Sequence, residues 1–371
     1  MFAWIVAYWW VLVLEGIAVS SVVALISMAA PRLVGGEPRS LASLKLSMAL
    51  SAVAIFLAGV GLIAGVAWLL DEYYGTAAGG GLALGVAGFV LLLMVGQWLF
   101  SPYIINALYR VHPPEDPYEE SLRLELERIA RASGLRRPPR LVIARMDVPN
   151  AFSYGSPLAG SYVAVTQGLL RVMPREEVVA VLGHEVGHLK HRDVSWILAL
   201  SLIPLAIYYL GRTLIFAGLL GSGSRDEESS PLLLALIGVV LVAAGVVFKF
   251  LVAHFNRLRE YYADAHSALV TGSPRLLQRA LARIHLALKG DPRMASEAAS
   301  RGLVSQLFIV APLVEVQGGF FYDIDDIVES LKAQEPSPLE ELFASHPPIP
   351  KRLRFLERIA EKIGVEVPIT E

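Results

Sequence analysis

Two histidines four residues apart, His184 and His188, bracket a glutamate, Glu185, within residues 183–189. On an α-helix, positions i and i+4 lie about 40° apart around the axis and share one face. Two imidazoles so placed reach one tetrahedral Zn²⁺ at about 2.0–2.1 Å. Glu185 points beside the metal rather than at it, which suits a general base acting on water. The chemistry implied is attack of water on a carbonyl, with the proton passed to a leaving amine. The plain alternative is an exposed helix with scattered histidines. The chain has only 8 histidines, so the pattern is a rare coincidence. Gly187 also argues against that alternative, because glycine costs a helix interior about 1 kcal/mol. Close approach of another element would account for it.

A catalytic zinc needs a third protein ligand. One pattern places a histidine six residues after His188, but that position is Val194, which cannot ligate. His191 falls near the face of His184 but about 10 Å along the axis, so it reads as a supporting or solvated residue. Glu260 and Asp264 are the better pair, spaced i, i+4. Glu260 can bind the metal while Asp264 accepts a hydrogen bond from a ligand imidazole. Alternatively, this is a polar helix whose acids pair with Arg257 and Arg259.

The elements that must hold these residues are unusually apolar. Hydrophobic residues make up 55% of the 371 and charged residues 18%, against about 45–50% and 25% in soluble domains. Mean hydropathy is +0.54. Five stretches suit membrane spans of roughly 20 residues: 2–29, 46–70, 81–108, 195–220 and 231–254. The first lacks a basic start and is too long for a cleavable signal. Arg32, Arg39 and Lys45 follow the first span, Asp71 and Glu72 the second, and Arg110 the third; acids dominate the loop at 225–228. Lys and Arg favour cytoplasmic loops. The N-terminus is therefore expected outside, and the polar blocks 111–194 and 255–371 both inside. Glu15 sits mid-span, as a protonated acid, a bundle partner (Arg212 is one candidate) or a functional group.

The net charge of −2 gives no sign of nucleic-acid binding, and the absence of cysteine excludes disulfides and Cys-ligated metal. In the polar blocks the pattern predicts helices over 116–133, from Pro174 to about 192, 257–270, 276–288 and 350–363, and strands over 140–144 and 161–167. Residues 148–154 read as extended or turning. The organisation is thus a membrane region at 1–110, a first catalytic part at 111–194, a membrane hairpin at 195–254 and a second catalytic part at 255–371.

The joint motifs resemble the HtpX-like membrane zinc metallopeptidases. They are residues 183–193 around His184, Glu185 and His188; 259–264 with Glu260 and Asp264; Asn150, Ala151 and Phe152; and 345–348 with His346, followed by Arg352. The resemblance covers roughly residues 115–365. It implies a mainly α membrane protein with a cytoplasmic α+β catalytic domain of gluzincin type around a small β-sheet. It further implies one Zn²⁺ per subunit on His184, His188 and Glu260, with Glu185 as base. Asn150, Ala151 and Phe152 would lie near an edge strand that pairs with extended substrate. His346 and Arg352 would lie by the cleft, His346 in a catalytic role such as stabilising the oxyanion or, alternatively, in a rigid proline-bounded loop. The substrates implied are membrane or misfolded proteins, cleaved in quality control at the cell membrane. Competing readings are a CAAX prenyl-type protease, which builds a chamber of about seven spans, and a non-catalytic zinc-binding scaffold, for which Glu185 would be superfluous. Three spans before the catalytic block, against the usual two, depart from the family, and 289–338 matches only loosely.

Overall fold

The computed structural model describes residues 2–33, 38, 40–74, 78–220, 231–290, 323–344 and 346–363. Arg39, the charged loop at 225–228, residues 291–322 and Ser345 lie outside them.

Five described helices are long and apolar enough to cross a membrane: α1 (Phe2–Leu33), α2 (Leu41–Tyr74), α3 (Ala78–Leu108), α7 (Asp193–Leu220) and α8 (Pro231–Thr271). The chain divides into two compact units. The first comprises Met1–Leu33, Ala49–Gly96 and Trp196–Phe255. It turns leucine, phenylalanine and tryptophan outward, Leu84 at 76% exposure, as a lipid-facing bundle must. Within it α7 and α8 meet through glycine: a Cβ on Gly211 would stand 2.7 Å from the Gly238 carbonyl oxygen. Small residues permit such approach where lipid removes any hydrophobic drive between helices. Glu15 is buried here, its Oε1 3.2 Å from Arg212 Nε, while the Tyr208 hydroxyl donates to its Oε2 at 3.3 Å. Of the roles open to Glu15 from sequence, the structure shows a bundle partner.

The second unit comprises Val34–Met48, Gln97–Ser195 and Asn256–Glu371. Its centre is a three-stranded sheet of β1 (Arg140–Ala144), β2 (Ala151–Ser156) and β3 (Gly160–Thr166) in the order β1-β3-β2. β1 runs parallel to β3 and β2 antiparallel, with Phe152 opposite Ala164. Residues 148–150 lead into β2. Asp116 caps α4 (Pro117–Ala132), its carboxylate accepting from the Glu119 amide at 2.8 Å. Thr166 does the same for the short α5 (Gln167–Val172), which the sequence pattern did not signal. Next come α6 (Arg175–Lys190), α9 (Pro274–Gly290), α10 (Ile324–Lys332), α11 (Pro338–Phe343) and α12 (Ile349–Ile363). One apolar core joins the sheet to α4, α6, α9 and α12.

The fifth span and the helix expected at 257–270 are one helix of 41 residues. Neither glycine nor proline occurs between Gly245 and Gly272, so nothing breaks the hydrogen-bond ladder where composition turns polar. Gly272, at φ 68°, ends it.

Candidate metal centre

α6 is almost wholly buried, and glycine lets the C-terminal part of α8 lie against it. A Cβ on Gly187 would stand 3.1 Å from both Ala263 Cα and His266 Cβ, and one on Gly183 3.1 Å from Val270 Cγ2. The Ser267 hydroxyl donates to the Ala180 carbonyl at 2.6 Å, pinning the two helices in register. That contact brings Glu260 to the histidines.

His184 Nε2 and His188 Nε2 are 3.1 Å apart; His188 Nε2 is 3.4 Å from Glu260 Oε1, and His184 Nε2 3.6 Å from Glu260 Oε2. Ligands of a tetrahedral ion at about 2.0–2.1 Å stand about 3.4 Å from one another. The fit goes beyond distance. His184 Nδ1 lies 3.0 Å from Asp264 Oδ1 and His188 Nδ1 2.6 Å from Asp193 Oδ2. A carboxylate at Nδ1 places the ring proton there. Both Nε2 lone pairs then face each other at 3.1 Å, which requires a cation or a proton between them. Buried Glu260 turns Oε1 towards His188 and Oε2 towards both His184 and His346. The ligand atoms of His184, His188 and Glu260 all lie within 4.8 Å of one another, an arrangement that could hold a metal ion.

Each Nδ1 carboxylate is held by an arginine. Arg352 grips Asp264 with two guanidinium nitrogens, Nε at 2.8 Å. Arg259 Nη2 lies 2.7 Å from Asp193 Oδ2. Burial opposes ionisation of both acids, yet Arg352 and Arg259 hold the carboxyls of Asp264 and Asp193 below the usual range. Burial likewise opposes a charge on Glu260, but His346 and His188 beside it hold its carboxyl well below the usual range. Burial disfavours the His184 imidazolium; hydrogen bonding to Asp264 and Glu260 outweighs this and pushes it up to about 9. A metal entering must displace that proton.

Glu185 is 3% exposed on the same helix. His346 Nδ1 is 3.0 Å from Glu260 Oε2, so the structure brings His346 to the same cluster. Arg352 has no exposed surface and holds Asp264 in its fork, and Asp264 in turn meets His184 Nδ1. Asn150, Ala151 and Phe152 are also buried, the Phe152 ring packing 5.4 Å from that of Tyr109. His191 packs edge-on against Tyr262, centroids 4.1 Å apart, in a supporting place. Arg259, an ion-pair partner of helix neighbours only in the alternative reading of the sequence, pairs with Asp193 and also donates to Asn256 of its own helix, and Asp193 itself went unsignalled.

The profile of peptidase family M48 matches residues 118–360. The chain belongs to peptidase family M48. It is 55% identical over 317 residues to the "Protease HtpX homolog" of Aeropyrum pernix, covering 85% of this chain and 98% of that protein. It is 38% identical over 323 residues to "Protease HtpX homolog 2" of Saccharolobus solfataricus, covering 86% and 98%. The crystal structure of S. mikatae Ste24p is similar at a TM-score of 0.45 and 17% identity, over 86% of this chain and 68% of that one. This M48 peptidase is a multi-pass membrane metalloprotease, as the sequence motifs implied.

Proposed function

We propose that the M48 site is a one-zinc endopeptidase centre with His184, His188 and Glu260 as ligands and Glu185 as general base. The opposed Nε2 lone pairs, with Glu260 carboxylate oxygens 3.4 and 3.6 Å from them, carry this reading. Bound zinc polarises a carbonyl oxygen and acidifies water. Glu185 takes the proton from water and delivers it to the leaving amine. Asp264 and Asp193 hold both imidazoles with Nε2 inward, and the two arginines keep those acids ionised. His346 steadies Glu260 through Nδ1; its Nε2, buried without a hydrogen-bond partner among the described residues, is available to the charge developing on the substrate oxygen. An extended substrate pairs with the backbone of β2, an edge strand of the sheet. Pairing through main chain favours unfolded segments over any one sequence, which suits membrane or misfolded proteins as substrates. Arg32 at the end of α1 and Lys45 at the start of α2, Asp71 and Glu72 at the end of α2, and Arg110 after α3 support a cytoplasmic catalytic unit and an outside N-terminus.

The test separates metal binding from catalysis. Glu185→Gln is expected to retain one zinc per chain and to lose at least about a hundredfold in casein cleavage. Glu260→Ala is expected to lose the zinc itself. Full activity in Glu185→Gln, or unchanged zinc affinity in Glu260→Ala, overturns the assignment.

A further inference from the structure

Three polar contacts join one face of α8 to the C-terminal segment. Arg257, Glu260 and Asp264 follow one another at i, i+3 and i+7, positions that share a side of a helix. Each takes a partner, in chain order, from residues 344–352. Arg257 Nη1 donates to the Ala344 carbonyl at 3.3 Å. Glu260 Oε2 lies 3.0 Å from His346 Nδ1. Asp264 accepts from Arg352 Nε at 2.8 Å. The latter two contacts belong to the metal centre. Arg257 is buried beside them, yet the chemistry described so far makes no use of it.

What needs holding is the loop that carries His346, between α11 and α12. After His346 the chain is stiff: Pro347, Pro348 and Pro350 each fix φ, and Pro350 stands in the first turn of α12. Before His346 the nearest proline is Pro338, and α11 has only six residues. Two polar contacts serve that side. Arg257 takes the Ala344 carbonyl, two residues ahead of His346. Buried Glu341 lies 2.6 Å from Lys351 Nζ, which draws α11 towards the start of α12 and closes the loop. A charged donor on a buried carbonyl is a strong tether. Misplacing a group beside the reacting atoms by about 1 Å can cost about a hundredfold in rate.

We propose that Arg257 is a positioning residue for the peptidase reaction: by holding the Ala344 carbonyl it fixes the entry to the His346 loop and so keeps His346 on Glu260. The proposal rests on the reading of His346 as the group that steadies Glu260 and meets the substrate oxygen. Arg257 acts through the loop and needs no contact with zinc, water or substrate. The tether uses one N–H rather than the guanidinium fork, so a lysine ammonium can serve in its place.

The experiment is a double-mutant cycle on the full-length protein in detergent micelles. It is read in kcat and KM for a fluorogenic peptide at saturating zinc, and in zinc affinity against a competing chelator. Arg257→Met keeps the apolar stem and removes the donor. It is expected to lower kcat about tenfold or more with KM within about twofold. In a His346→Ala background the same change is expected to cost less than about twofold in both kcat and zinc affinity, because the group it positions is gone. Arg257→Lys is expected to recover most of the loss, and Arg257→Leu replaces Arg257→Met should the latter fail to retain zinc. Unchanged kcat in a zinc-loaded variant without the donor overturns the proposal. So does an equal loss with and without His346, which would mark Arg257 as structural. Full kcat in His346→Ala alone refutes the reading of His346, and the proposal with it, while leaving the metal ligands and Glu185 standing.

Discussion

His188 has its Nδ1 carboxylate at Asp193, five residues away, which is not a helical spacing. The chain achieves it by stopping α6 at Lys190 and turning through Arg192 at φ 53°, so that Asp193 folds back under the ring it serves. This is why the sequence revealed His184, Glu185, His188, Glu260 and Asp264 but not Asp193. The first five repeat at i, i+1 or i+4 on regular helices, whereas Asp193 depends on one left-handed residue. The contacts Arg352–Asp264 and His346–Glu260 were hidden for another reason: they join segments 88 and 86 residues apart, and no local pattern encodes that distance. Outer partners of this kind typically contribute ten- to a hundredfold to metal affinity. Asp193→Asn and Asp264→Asn are each expected to weaken zinc binding by that factor, in competition with a chelator of known affinity. A change under about threefold in both would mean that the paired His–Asp–Arg relays do not orient the ligands.

At the scale of elements, the helices around the site and the strands β1 and β3 followed from periodicity, while β2, α5, α10, α11 and the contacts between helices did not. Gly187 signalled that something approaches α6, but only the structure shows that Ala263 and His266 of α8 do so. Two effects compete in Gly187→Ala. Alanine improves helix propensity by about 1 kcal/mol, and overpacking costs about 1–3 kcal/mol. The nearest atom is backbone, Ala263 Cα at 3.1 Å, so the cost is expected to win. Because the displaced helix carries Glu260, zinc affinity should fall together with the thermal midpoint; unchanged affinity would show that the two helices can part without opening the site. A second tie, between α9 and α10, is electrostatic. Asp325 accepts from Arg279 Nε at 2.7 Å and from Arg275 Nε at 3.0 Å. Hydrogen bonding from Arg279, aided by the charge of Arg275, holds its carboxyl below the usual range. A depressed folded-state pKa stabilises above the unfolded value of about 3.9 and is lost as pH falls through the folded one. Asp325→Asn should lower the thermal midpoint at pH 7, by about 2 kcal/mol in stability, and the difference from wild type should shrink below about pH 4. A constant difference down to pH 3 would rule out this carboxylate as the source.

For the molecule as a whole, the apolar excess and the five spans were plain in the sequence, because a bilayer demands length and hydrophobicity and little else. The continuity of α8 across its change of composition was not, since polarity shifts at residue 256 without any helix breaker. Orientation rests on the basic loops, and the chain offers a clean way to test it, for it contains no cysteine. A single cysteine at Glu72, after the second span, is expected to react with a membrane-impermeant maleimide on intact cells. One at Glu361, exposed on α12, is expected to react only after the cells are made permeable. The basic residues near Lys45 and Arg110 require both outcomes together, since an odd number of spans separates the N-terminus from the catalytic block. Labelling of Glu361→Cys on intact cells would invert the topology and move proteolysis to the outer face, where its substrates could not be proteins of the cytoplasm.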